Sequence, residues 1–131
     1  MSSASKISAF TDLIVWQESH KLVLAIYQVT KKFPREEMFG LVSQMRRSAV
    51  SITSNLCEGF ARKTAKEKIQ FYYIAIGSLS ELKNQLIISK DLRYLDYEVF
   101  EKLSFHTVSV HKLFNAFVKS AKNKDVNVSK Y

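Results

Sequence analysis

An all-α, antiparallel up-down-up-down four-helix bundle is the fold this sequence predicts, and three observations predict it. Apolar residues recur at three- and four-residue steps through four long segments, as in helices that each bury a stripe. Three glycines and one proline are the only strong breakers in 131 residues, 47% of them hydrophobic, so the helices are long and the interruptions few. The links between segments are short, and a short link makes consecutive helices lie side by side and run in opposite directions. The length fits a single domain, residues 1–131, that buries on the order of two-thirds of its unfolded surface. Its ordered core is expected over about residues 10–121, with flexible tails at 1–9 and 122–131.

The first helix is expected from Thr11 or Asp12, either of which can cap free N–H groups, to about Lys32. Leu13, Trp16, His20, Leu24 and Tyr27 share one face, and Leu22, Ile26, Val29 and Phe33 share a second. Two apolar stripes imply more than one helical neighbour. His20 falls among core residues and reads as a packed histidine rather than a ligand. Lys31 and Lys32 complement the helix dipole, and Pro34 ends the helix by disfavouring helical geometry at Phe33.

The second helix is expected to open at Arg35-Glu36-Glu37, with two acids near its positive end, and to run to about Arg62. Leu41, Met45, Ala49, Ile52 and Leu56 form its apolar stripe. Gln44, Arg47, Ser51, Asn55, Glu58 and Arg62 form a second file, within about 80° of one another on the helical wheel. Ser48, Ala49, Ser51, Ser54 and Gly59 keep this helix slim, so that neighbours approach closely. Glu58, near Arg47 and Asn55, is expected in a structural polar network, because buried polar groups must be partnered.

Thr64 and Glu67 form a capping box for the third helix, expected over residues 65–92. From Ile69 to Leu79 this helix is apolar on nearly every side, whereas a bundle helix needs only about a third of its circumference apolar. The excess predicts a second buried surface, most simply a subunit interface. Gly77 costs up to ~1 kcal/mol in a helix interior and is expected to permit close backbone contact. Asp96 is the expected cap of the fourth helix, whose seam is Val99, Leu103, His106, Val110, Leu113 and Phe117, a spacing suited to a left-handed bundle. His106 reads as a core or interface histidine. Periodicity fades after Ala121, which predicts a mobile basic tail.

The net charge is +8 and its distribution is uneven: residues 46–68 carry six Lys/Arg against two acids, and residues 119–131 carry four against one. A basic helix junction and a basic tail suit an anionic partner, RNA first among them. Solubilising lysine is the competing reading. Cys57 is the single cysteine, which rules out an internal disulfide or a cysteine-rich metal site, and it is expected to pack as a small hydrophobe. The polar opening lacks the apolar core of a signal peptide. No run approaches the ~18 apolar residues that span a bilayer, so no membrane association and a cytoplasmic location are expected.

Catalytic and cofactor chemistry find no support. Glu-x-x-His is absent, the three histidines lack ligand spacing, and the scattered glycines form no phosphate loop. A Ser, His and acid triad is not excluded by counting, but nothing positions one. A non-enzymatic protein without metal or cofactor is expected.

Phe10-Thr-Asp-Leu-Ile-Val-Trp-Gln17, Phe33-Pro34, the run from Phe39 to Gly59 and Ile74-Ala-Ile-Gly-Ser-Leu-Ser-Glu-Leu82 together carry a family resemblance. The chain resembles, over about residues 10–120, the four-helix-bundle proteins encoded in intervening sequences of bacterial 23S ribosomal RNA genes. The most specific part is the pattern Gln-x-Arg-Arg-x-x-x-Ser-Ile-x-x-Asn-x-x-Glu-Gly of the second helix. Cys57 stands where that family more often has alanine. The chain is also similar to the accessory variability determinant of diversity-generating retroelements, a basic pentamer that engages a reverse transcriptase and nucleic acid. The resemblance implies a homopentameric ring without established enzymatic activity and of poorly defined cellular role. It makes Gln44, Arg47, Ser51, Asn55, Glu58, Gly59 and Gly77 a structural or interface signature.

Two functional expectations follow. In the first, a homo-oligomer binds RNA or another nucleic acid, with Arg46, Arg62, Lys63, Lys66, Lys68, Lys119, Lys122 and Lys124 contacting phosphates. In the second, the basic surface meets a nucleic-acid-processing protein, and the chain is a scaffold or accessory subunit.

Overall fold

Residues 7–130 are described by the computed structural model, with side chains through Lys124. They form four helices, α1 (Ile14–Thr30), α2 (Leu41–Phe60), α3 (Ala65–Asp91) and α4 (Tyr97–Lys130), with short 3-10 turns at Phe10–Asp12 and Arg35–Glu37. No strand occurs among the described residues. No helix among them is long and apolar enough to cross a membrane.

The helix ends show where the backbone's free groups find partners. Asp12 does not cap α1. Leu13, in extended backbone, intervenes, and Asp12 Oδ2 instead accepts the N–H groups of Ala9 (3.0 Å) and Ser8 (3.1 Å). These bonds, Ala9's above all, hold the Asp12 carboxyl below its ordinary range. α2 likewise starts later than the acids suggest: Arg35–Glu37 forms a separate turn, and Gly40 (φ −114°, ψ −111°) breaks the chain before Leu41. Glu37 reaches over that break, its Oε1 accepting the Leu41 N–H at 3.2 Å and its Oε2 accepting the Tyr94 hydroxyl at 2.9 Å.

Thr64 caps α3 as expected, accepting the Glu67 N–H at 3.2 Å. The Glu67 carboxylate takes the Thr64 hydroxyl (2.9 Å) rather than a backbone amide. α3 ends in a Schellman arrangement: Tyr94 N–H reaches Ser89 O (2.8 Å) and Arg93 N–H reaches Lys90 O (2.9 Å). That geometry puts Arg93 at φ 65°, where glycine is the usual occupant. α4 follows Asp96 and continues to Lys130, past the end predicted near Ala121. Fading apolar periodicity does not itself stop a helix, and no Pro or Gly lies beyond Gly77 to do so. Residues 1–6 and 131, part of the predicted tails, lie outside the described residues.

The four helices share one core, α1 packing on α2 and α4, and α3 packing on α2 and α4. The apolar stripe predicted for α2 is buried throughout, with Met45, Ala49, Ile52 and Leu56 fully so. Each such Leu, Ile or Met contributes about 1.5–3 kcal/mol by leaving water. On α1 the Leu22–Ile26–Phe33 stripe is core, but Leu24 (56% exposed) and Tyr27 (38%) of the other stripe face solvent. On α4 the most buried line is Leu103, Thr107, Val110, Phe114 and Val118, rotated from the predicted seam. Thr107 enters that line by returning its hydroxyl to Ser104 O at 2.7 Å, which a hydropathy pattern does not register. His106 is half-buried and its Nε2–H donates to Glu18 O at 3.1 Å; His20 stacks on Trp16 with ring centroids 4.6 Å apart.

Candidate nucleic-acid interface

The α2–α3 junction is built so that basic residues are left over at one end of the molecule. Gly59 lets α3 close onto α2: a Cβ there would lie 2.6 Å from the Tyr72 ring and 3.0 Å from Lys68 O. Tyr72 is thereby 2% exposed, and burial pushes its hydroxyl up to about 12. With the helices that close, the link Ala61–Thr64 turns within four residues and carries Arg62 and Lys63 outward, followed by Lys66 on the first turn of α3; all three are exposed.

Arg62 pairs with Glu58 (2.7 Å) and covers the Phe71 ring at 4.6 Å. Both partners are exposed, so the pair contributes only about 0.3–0.5 kcal/mol and leaves the arginine accessible. Lys68 turns inward, donating to Phe60 O at 2.7 Å and so satisfying a carbonyl at the end of α2. Burial, and then the charge of Lys124, lower its pKa. From α4, Lys122 donates to the Tyr73 hydroxyl at 2.6 Å and lies over that ring. Lys119 and Lys124 are exposed on the same stretch of α4.

Six of the eight cations singled out in the sequence, Arg62, Lys63, Lys66, Lys68, Lys122 and Lys124, therefore gather where the end of α2, the start of α3 and α4 meet. Arg46 does not join them. Sixteen residues before Arg62, or about 24 Å along the helix, its Nε donates to Thr30 Oγ1 at 3.0 Å and its guanidinium covers the Tyr27 ring at 4.7 Å. It ties α2 to the end of α1.

The polar file of α2 divides in two. Ser51 and Ser78 share a hydrogen bond at 2.8 Å, and Asn55 Nδ2 donates to Ser51 O (2.9 Å) and Ser51 Oγ (3.0 Å), clipping α2 to α3. Glu58 stands outside this clip, paired with Arg62 instead of Arg47, while Gln44 and Arg47 are exposed. Gly77, expected at a close contact, has nothing within 4 Å of a would-be Cβ. Cys57 is half-buried beside Phe10 and Trp16, not in the core.

Among the pairings that the sequence does not announce, Lys83 Nζ donates to His111 Nδ1 at 2.7 Å between α3 and α4. Burial, and then the Lys83 charge, lower the His111 pKa. Only helix register brings the two together, and nothing in the local sequence announces it.

Comparison with known proteins bears on the family and the fold. A crystal structure of a protein of unknown function from the S23 ribosomal protein family of Bacteroides thetaiotaomicron VPI-5482 superposes with a TM-score of 0.75 at 22% identity, covering 81% of this chain and 96% of that one. This shows a shared all-α fold. No curated protein matches the chain. The model of the 23S rRNA-intervening sequence protein family matches residues 11–116, and the chain belongs to that family.

Proposed function

We propose that this protein is a non-enzymatic, cytoplasmic homo-oligomer that binds RNA through the basic end formed by Arg62, Lys63, Lys66, Lys68, Lys122 and Lys124. The observation that carries the reading is the convergence of three separate stretches of chain on that end, where the exposed acids of the α2–α3 junction are Glu58, paired with Arg62, and Glu67, which takes the Thr64 hydroxyl. Exposed Lys and Arg that meet phosphates gain affinity by releasing counterions. Lys119, one turn earlier on α4, extends the patch.

Assembly is supported by the outer face of α3, where Tyr73 (49% exposed) and Ile74 (52%) stand in solvent beside Gly77, with Ile87 (46%) further along the helix. Single exposed apolar residues are ordinary; several on one helix face suit a partner surface. The subunit is taken as an antiparallel up-down-up-down bundle with a left-handed twist, and the ring as a pentamer, on the family resemblance. Short links and the contact of each helix with two others fit that topology.

The test combines native mass with nucleic-acid binding. Light scattering on nuclease-treated protein should give five subunits. Binding of a single-stranded RNA should fall steeply with salt, and Lys63→Glu/Lys66→Glu should flatten the salt slope by about two phosphate contacts. Salt-independent binding, or none, defeats the RNA reading; a monomer defeats the ring.

A second reading has one observation of its own. Phe39, 96% exposed between α1 and α2, flanks a groove that also contains Met38 and Arg47. A scaffold or accessory subunit for a nucleic-acid enzyme would use such an anchor. Recovery of the same protein partner after nuclease treatment, lost in Phe39→Ala, favours it.

A further inference from the structure

A cavity of about 320 Å³ opens beside the basic end, where Ile7 and Leu13 approach the end of α2, the start of α3 and α4. Its volume lies at the low end of the range for small-molecule sites, about 300–1,000 Å³. Tyr72 and Phe117, with ring centroids 4.8 Å apart, and Leu13 and Phe60 make its lining mainly apolar. The charged groups of the lining are Lys68 and Lys124, and no carboxylate stands among its residues. Lys68 is held in place, its ammonium 2.7 Å from Phe60 O and 5.4 Å from the Phe60 ring centroid. Tyr72, buried in the same wall, has no hydrogen-bond partner for its hydroxyl among the described residues.

We propose that this cavity binds a small amphipathic carboxylate, its apolar body against Tyr72, Phe117 and Leu13 and its head group between Lys68 and Lys124. Charge and lining select the class together. Two cations without a counter-ion among the described residues, at an apolar cavity, call for a single negative charge attached to an apolar body. A nucleobase fits less well, because a floor of Leu and Phe leaves most of its edge donors and acceptors unpaired, at a cost for each. A bound carboxylate also offsets what lowers the Lys68 pKa, the burial of its charge and the repulsion from Lys124. The cavity shares Lys68 and Lys124 with the RNA-binding end, but the exposed Arg62, Lys63 and Lys66 do not line it, so the two can be separated there.

The probe is octanoate, with 1-octanol as its uncharged counterpart, titrated into the intact protein by calorimetry. One octanoate per chain is expected, binding about tenfold more tightly than octanol, the share assigned to the charged head. Lys68→Met/Lys124→Met should erase that preference while octanol binding persists. Ala121→Phe, which fills a half-buried position of the lining, should abolish both without lowering the melting temperature. Lys63→Glu/Lys66→Glu should weaken RNA binding and flatten its salt slope while octanoate binding is kept, so the two ideas fail separately. No heat at about 10 mM octanoate, weaker than any useful affinity on the usual scale, overturns the proposal. So does equal binding of octanoate and octanol, or binding unchanged by Ala121→Phe.

Discussion

The two sides of α3 treat glycine in opposite ways. On the inner side, Gly59 of α2 presses against the Tyr72 ring, and a methyl group would stand 2.6 Å from it. On the outer side, Gly77 of α3 itself faces open space, with nothing within 4 Å. The first glycine is required by the fold of one chain. The second costs that chain up to ~1 kcal/mol of helix propensity and gains nothing from it in return. Spacing and residue type make the two look alike; only the packing of the neighbouring helix separates them.

The largest expected effect tests the inner side. Gly59→Ala should lower stability by about 3 kcal/mol, the upper end for overpacking against a buried ring, seen as a lower urea midpoint. Adding Tyr72→Leu should recover part of that loss, because the clash is with the ring. On the outer side, Ile74→Lys should leave the urea midpoint within about 0.5 kcal/mol but reduce the native mass by light scattering. An unchanged mass removes that face from any interface.

Glycine exchanges then sharpen the contrast. Gly77→Ala should raise the stability of the dissociated chain by up to ~1 kcal/mol, and weaken association if backbones meet there. At Arg93, held at φ 65°, the reverse exchange applies: Arg93→Gly should stabilise by about 1 kcal/mol in thermal melts, the usual cost of a left-handed residue with a side chain. The smallest effect concerns the face of α3 toward α4. The His111 pKa is lowered by burial and by Lys83, so as pH falls the unfolded chain binds a proton before the folded one. The stability from neutral His111 is therefore complete above the unfolded pKa of about 6.5 and lost as pH drops through the lower folded value. Melting temperatures of His111→Gln should decline less than those of the unaltered protein between pH 7.5 and 5.

The sequence reading was strongest where one helix states its own pattern. The buried stripe from Met45 to Leu56 and the Thr64 cap follow from spacing within a single segment. It failed where the answer lies across helices or in backbone geometry. Arg46, grouped with the other cations by charge counting, lies apart from them, where Thr30 and Tyr27 engage it from α1. Asp12 has the chemistry of a cap, but one extended residue turns it toward the preceding backbone. Thr107 is polar and still occupies the core, because its hydroxyl is satisfied within its own helix. For the basic end, charge counting found the cations, and helix closure at Gly59 decided which of them gather.

Glu37 has a consequence for the order in which the molecule comes apart. Its carboxylate holds the Leu41 amide and the Tyr94 hydroxyl together, a contact spanning 57 residues, whereas α2 and α3 meet across a four-residue link. Closing the longer loop costs more chain entropy, so the Glu37–Tyr94 half of the clasp is expected to open before the α2–α3 packing does. The Leu41 amide is thus a natural reporter of local opening. Its deuterium exchange, read against that of Ile52 in the middle of the same helix, separates fraying of this end from global unfolding.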